Sequence, residues 1–219
     1  SNVPLTRTPD AHFLTEVRYK GTKVVSVAPD YAESVVHADD WIAADPGSDA
    51  AIAQAMTHVI LDEFYQKRQE PIFLNYAKQY TDMPFLITLD RYEDSYKAGR
   101  FLRASDLGSD SEHAEWKPVI YDETTNEIIV PNGTMGQRWE EDAKWNLILE
   151  NEDGTIVDPA LSIAEHGAEW EEIIFPYFDN VANGTFRRPI PAKKVVGADG
   201  KEHLVTTVHD LMLSQYGIN

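Results

Sequence analysis

The stretch from Gly21 to Asp49, GTKVVSVAPDYAESVVHADDWIAADPGSD, limits the possible folds more than any other part of the chain. The apolar, β-branched run from Thr22 to Val27 predicts a strand, and the turn after it carries Asp30. After a short helix comes a second strand, Trp41 to Ala44, which ends in Asp45-Pro46-Gly47-Ser48-Asp49 at a helix start. In open α/β sheets, ligands sit beyond the carboxyl ends of the strands, where loops bring backbone amides and acids together. Both acid-bearing turns are expected on that rim, placed to hold a nucleotide-sized ligand. On spacing alone the simpler alternative stays open: acids and glycine are ordinary turn chemistry, and Asp30 and Asp49 are then turn and cap residues.

The neighbouring segments continue this pattern. Thr8-Pro9-Asp10 has the features of a helix start, and Phe13, Leu14 and Val17 give that helix an apolar side up to Gly21. The cluster Val24, Val25 and Val27 is nearly continuous, as expected of a parallel strand covered on both faces. From Ser48 onward, Ile52, Ala55, Met56, Val59, Ile60 and Phe64 recur at three-and-four spacing and predict a long helix. Helix, strand, helix, strand, helix implies a parallel sheet with crossover helices. Beyond Glu70 the pattern changes. A helix over Phe73 to Tyr80 and a strand over Pro84 to Leu89 are followed by short strand candidates at Val119 to Tyr121, Glu127 to Val130 and Asn146 to Leu149. The turn signals Asn132-Gly133, Asp153-Gly154 and Asn183-Gly184 separate segments of this region. Strands at Lys194 to Val196 and His203 to Thr206 and a helix over Val208 to Tyr216 close the chain.

Composition narrows the function. The 219 residues carry 37 acids against 19 bases, a formal charge of −18, so the surface field repels phosphate backbones and nucleic acid is not expected as a partner. With no cysteine, the chain can build neither a disulfide nor a thiolate iron-sulfur site. The seven histidines show no metal-ligand spacing with a carboxylate partner, and no protein-only metal site is expected. There is no GxSxG elbow, P-loop or complete GxGxxG. The acid-rich runs Glu140-Glu141-Asp142 and Glu169 to Glu172 read as solvated faces, and the five tryptophans as core and loop packing. No apolar run approaches the ~20 residues needed to span a bilayer, so no direct membrane insertion is expected and the chain reads as soluble.

Taken together, these residues resemble one family. SNVPLTRTPDAHFLTEVRYKGTKVVSVAPDYAESVVHADDWI, PGSDAAIAQAMTHVILDEF, YTDMPFLITL, GRFLRASDL, PNGTMGQRW and LVTTVHDLMLSQYG are similar to the middle of the catalytic alpha subunit of respiratory, membrane-bound nitrate reductases, within the molybdopterin oxidoreductases. The likeness covers essentially the whole chain, while residues 108–115 and 151–172 match poorly and read as variable loops.

The resemblance implies nitrate reduction to nitrite at a molybdenum bis(molybdopterin guanine dinucleotide) centre. It also implies a 4Fe-4S cluster whose ligands lie outside this sequence, an iron-sulfur beta subunit and a membrane cytochrome gamma subunit. The enzyme would lie peripherally on the membrane, on its cytoplasmic face, through those subunits. The absent cysteine and initiator Met then mark an internal piece, inactive and metal-free by itself. Carried over position by position, Asn2 lies near the cofactor phosphates, and Asp30 with Tyr31 takes the place suited to sugar hydroxyls or a guanine edge. Gly47-Ser48-Asp49 stands where the family usually has Gly-Thr-Asp, and no catalytic residue falls within the chain. A sister oxidoreductase of selenate or chlorate type and a non-catalytic nucleotide-binding module are the alternatives.

The expected fold class is therefore α/β: a Rossmann-like parallel sheet with crossover helices, interrupted by a loop- and β-hairpin-rich insertion. Residues 1–107 form the guanine dinucleotide-binding part, 108–190 the insertion, and 191–219 a return strand and helix. An unpaired strand edge would favour dimerisation of the isolated piece or disorder in residues 1–8.

Overall fold

The structure is a computed structural model that describes residues 6–133, 146–151, 153–175 and 186–218. It is α/β with mixed sheets, and the chain divides into two compact units, Ser1–Val59 and Ile60–Asn219.

In the first unit, helix α1 (Thr8–Tyr19) has Pro9 in its first turn and Asp10 near its positive end. The chain leaves it through Gly21, whose φ of 89° is open to glycine at little steric cost. Strand β1 (Val25–Ala28), helix α2 (Glu33–Val36), strand β2 (Asp40–Ala43) and helix α3 (Asp49–Val59) follow. β1 and β2 run parallel, with Val25 opposite Asp40 and Ala28 opposite Ala43. β1 starts later than the apolar run suggests because Val24 is held by other bonds. Its N–H donates to the Asp39 carboxylate at 2.8 Å, and its carbonyl accepts from Asp39 N–H at 2.7 Å.

Two expectations change here. The parallel sheet has two strands among the described residues, and its strands are not covered on both faces: Val25 and Val27 are about half exposed. β-branched residues set the local preference for extended backbone, but only other elements can cover a strand. Along α3 no residue is buried, although its apolar stripe is the one the spacing predicts.

The second unit opens with a π-helical stretch, Ile60–Lys67, directly after α3, where three-and-four spacing predicts continuous α-helix. It is followed by α4 (Pro71–Tyr80), β3 (Leu86–Tyr92), β4 (Ser95–Phe101), a 3₁₀ turn (Ala104–Leu107), the hairpin β5 (Ile120–Asp122) and β6 (Glu127–Ile129), then β7 (Glu169–Ile174), β8 (Arg187–Val196), β9 (Glu202–Thr207) and α5 (Val208–Tyr216). β3, β4, β7, β8 and β9 close into a five-stranded barrel in that order. β3 pairs antiparallel with both β4 and β9, and the sole parallel junction joins β4 to β7 at Tyr96 and Ile173. Closure leaves the barrel itself without a free edge, while the β5-β6 hairpin stands as a separate two-stranded sheet.

Side chains from the barrel strands and the loops around them form the core. Leu86, Leu102, Val119, Tyr121, Ile163 and Val205 pack together, while Leu89, Ile173, Phe175 and Ile190 form a second cluster. The barrel takes strands from all three segments of the expected 1–107, 108–190 and 191–219 division, since β3 and β4 precede residue 108, β7 lies in the middle segment, and β8 crosses into the last.

Two of its strands are hidden in the sequence. β7 is the acid-rich run, and its Glu169 and Glu172 do face solvent while Ile173 and Ile174 are buried. β8 contains Pro189 and Pro191, residues that argue against a paired strand because they lack an N–H. Their carbonyls are nevertheless used: Pro191 accepts from Thr206 Oγ1 at 2.8 Å and Pro189 from Ser214 Oγ at 2.9 Å. In contrast, the strand expected at Asn146 to Leu149 amounts to isolated bridges, Ile148 with Asn132 and Glu150 with Ile156. Trp41, Trp116 and Trp170 are each 40% exposed or more rather than core residues; Trp139 and Trp145 lie outside the described residues.

Candidate functional site

The first unit presents both turns singled out in the sequence beyond the carboxyl ends of β1 and β2, because parallel pairing brings Ala28 and Ala43 side by side. Asp30 lies in an exposed bend two residues past β1, and its carbonyl accepts Ala32 N–H at 3.0 Å. Tyr31 is 66% exposed and meets the Trp41 ring edge-on, with centroids 5.4 Å apart. Trp41 in turn donates its indole N–H to the Ala28 carbonyl at 2.8 Å. Trp41 thus joins the rim as a brace for the end of β1, a role that sequence reasoning did not assign to it.

After β2, Asp45-Pro46-Gly47-Ser48 forms a tight turn, with Ser48 N–H donating to the Asp45 carbonyl at 3.0 Å. Proline at the second position and a positive φ of 86° at Gly47 are the features of a type II turn. Nothing lies within 4 Å of where a Gly47 side chain would start, so backbone conformation, not crowding, selects glycine here. The Ser48 hydroxyl donates to the Asp45 carbonyl at 2.7 Å, and the Ser48 carbonyl accepts Ile52 N–H as α3 begins. Asp49 stands in the first helical turn and is exposed. Asn2 lies outside the described residues.

The two ends of this small sheet differ in charge. At the amino end, Asp39 pairs with Arg18 at 2.8 Å and accepts Val24 N–H, and these bonds hold its carboxyl below the usual carboxylate range. Asp40 pairs with Lys23 at 2.5 Å. At the carboxyl end, neither Asp30 nor Asp49 has an ion-pair partner among the described residues. Asp30 and Asp49, set on two turns beside the Tyr31-Trp41 pair, can accept N–H and O–H donors from a ligand. No group of three His, Cys, Asp or Glu suited to a metal ion occurs among the described residues.

Comparison with known proteins assigns the family. Residues 1–175 match the family profile described as molybdopterin oxidoreductase. The chain belongs to the molybdopterin oxidoreductase family. As a member of it, the chain is 50% identical over its full length to the nitrate reductase alpha chain of Bacillus subtilis, and 46% identical to the respiratory nitrate reductase 1 alpha chain of Escherichia coli. It spans 18% of the length of each. Over 65% of its length it is also 35% identical to the perchlorate reductase subunit alpha of Dechloromonas aromatica. Among the described residues no helix is long and apolar enough to cross a membrane.

Proposed function

We propose that this molybdopterin oxidoreductase chain is the part of a nitrate reductase alpha subunit that grips the guanine dinucleotide end of a molybdenum bis(molybdopterin guanine dinucleotide) cofactor. The supporting observation is the charge contrast across the two-stranded sheet: Asp39 and Asp40 are neutralised at the amino end, while Asp30 and Asp49 at the carboxyl end have no ion-pair partner among the described residues. That is the end at which Rossmann-like sheets hold nucleotides. The βαβ unit of β1, α2 and β2 is read as one crossover of such a sheet.

The donor set fits the group. A guanine presents N–H donors along one edge and a ribose presents hydroxyls, and both call for carboxylate acceptors on an open rim. In this reading Asp49 accepts the guanine N–H groups from the start of α3, Asp30 and Tyr31 meet the sugar, and Gly47 with Ser48 shapes the turn between them. Asn2 lies near the phosphates. When bound, the molybdenum centre supplies the redox chemistry that converts nitrate to nitrite. This chain's residues bind and orient the organic part of the cofactor and contribute no metal ligand. An iron-sulfur cluster with ligands elsewhere in the subunit, a beta and a membrane gamma subunit, and a peripheral place on the cytoplasmic face of the membrane complete the reading. Full-length identity of 43–50% to nitrate reductase alpha chains favours nitrate. The shorter, weaker likeness to a perchlorate reductase supports a sister oxyanion as the second reading.

The test is cofactor retention in the intact subunit. Asp49→Ala is expected to release most guanine nucleotide, since loss of a partner to charged hydrogen bonds costs about 1.5–3 kcal/mol. Asp30→Ala, at the more open sugar position, is expected to release less. Nucleotide is quantified after acid release, on protein shown by circular dichroism to be folded. A folded Asp49→Ala subunit that keeps its full complement of nucleotide would reduce the residue to a helix-start acid and sink this assignment.

A further inference from the structure

We propose that the cavity bounded by the π-helical stretch, the 161–166 loop, β8 and α5 is a binding site for a small organic cation, a primary ammonium on a short hydrocarbon stem. The inference does not rest on the nucleotide reading of the first unit. The cavity has a volume of about 140 Å³, and among the described residues lining it Asp210 is the sole acid or base. No lysine, arginine or histidine lines it, and Asp210 has no ion-pair partner among the described residues.

The carboxyl group is set in place before any ligand arrives. Asp210 is 2% exposed, and its Oδ2 accepts Ile163 N–H at 2.9 Å while its own N–H donates to Thr207 Oγ1 at 2.9 Å. The start of α5 favours an acid in its first turn, which explains why an acid is tolerated here. The cap does not balance the charge, however. Burial pushes the Asp210 carboxyl up to about 6 despite bonds from Ser162, Ile163 and Thr207. A monovalent cation would supply the missing charge, whereas a divalent metal ion would need further carboxylates that the site lacks.

The rest of the wall selects what accompanies the charge. Pro189, Pro191, Leu213 and Ile218 provide an apolar surface for a hydrocarbon stem, and Tyr65 and Trp170 add aromatic side chains to the wall, a residue type that attracts an ammonium. The Ser162 hydroxyl donates to the acid, and its oxygen accepts Ala164 N–H at 3.2 Å, which fixes it at the cavity wall. A wider cleft of about 690 Å³ shares Tyr65, Gln66, Ser162 and Ala164 with the cavity and adjoins it as an approach. The cation lining that cleft, Lys78, is already engaged by Asp158 at 2.5 Å and by Glu123 at 3.5 Å, and so is not free to neutralise Asp210.

Ligand-observed saturation-transfer NMR on the intact subunit tests this, with ethylammonium as the probe and propanol and propionate as neutral and anionic controls of similar size. Ethylammonium is expected to show transfer, and neither control is. Asp210→Asn is expected to weaken ethylammonium about tenfold or more through loss of a charged contact. Trp170→Leu, at a side chain 57% exposed, is expected to weaken it about threefold and leave the fold intact. No transfer to ethylammonium, equal transfer to propanol, or unchanged affinity in folded Asp210→Asn overturns the proposal. Should Asp210→Asn fail to fold, Trp170→Leu decides it: unchanged affinity there overturns the proposal, and the threefold loss together with charge selectivity supports it.

Discussion

Between pH 7 and pH 4, replacing Asp210 with Asn is expected to make folding about 2 kcal/mol more sensitive to acid than in the parent chain, and replacing His209 with Phe is expected to make it about 3 kcal/mol less sensitive. The two residues are adjacent in the first turn of α5 and both are buried, but their shifts oppose each other. His209 is fully enclosed, its ring nitrogens have no hydrogen-bond partner, and the Tyr65 ring packs edge-on at 4.2 Å. Burial lowers its pKa to about 4; the nearby Leu161 carbonyl favours the proton slightly without reaching hydrogen-bond geometry.

A base held neutral in the fold contributes stability above its unfolded pKa of about 6.5 and loses it as pH falls towards 4. Asp210, raised to about 6, has the opposite effect: the folded state holds its proton more tightly, so acidification from pH 7 to pH 4 adds about 2 kcal/mol. In the parent chain the two nearly cancel. His209→Phe leaves only the Asp210 gain, and Asp210→Asn leaves only the His209 loss. Urea unfolding at several pH values, with each variant compared to the parent, measures both slopes, and parallel pH profiles in all three proteins would refute the burial argument.

Asp122→Ala is expected to destabilise the 60–219 unit by about 3 kcal/mol or more. Asp122 is 1% exposed and its carboxylate serves four donors. Oδ1 accepts Asp158 N–H at 2.8 Å and Thr124 N–H at 3.2 Å, while Oδ2 accepts the Thr125 hydroxyl at 2.9 Å and Thr125 N–H at 3.2 Å. These bonds lock the turn between β5 and β6 and tie β5 to the strand-like segment around Pro159. Alanine leaves the backbone donors without partners in a buried place. Asparagine is expected to rescue little, because its amide nitrogen faces donors.

Burial pushes the Asp122 carboxyl up, but the bonds from Asp158, Thr125 and Thr124 outweigh it and hold the carboxyl below its ordinary value. Stability from Asp122 is therefore present above pH 4 and is lost as pH falls through the lowered folded value. Loss of less than about 1 kcal/mol in a denaturant midpoint series would show that water or a relaxed loop replaces these bonds.

What could be read in advance follows how local each feature is. Helix α5 runs over the residues its sequence predicts, because Thr207 caps it by accepting Asp210 N–H and Gly217 ends it with a φ of 68°. The two acid-bearing turns were legible for the same reason: proline, glycine and acids act on the few residues around them. Which acids stay unpaired was not legible. Asp39 and Asp30 look equivalent in the sequence, and only the fold brings Arg18 to one of them.

The sequence alone therefore determined the family, the βαβ order of the first unit, the turns that carry Asp30 and Asp49, and the ends of α5. All of these depend on contacts within a few residues or on a directly compared pattern of side chains. Only the tertiary structure decided the barrel, because Leu86 must find Thr207 and Tyr96 must find Ile173 before either pairing exists. It also decided that a proline-bearing run and an acidic run become neighbouring strands, and that His209 and Asp210, two polar residues in an ordinary helix start, end in the interior. Burial is a property of everything that packs around a residue, and the elements around these two come from distant parts of the chain.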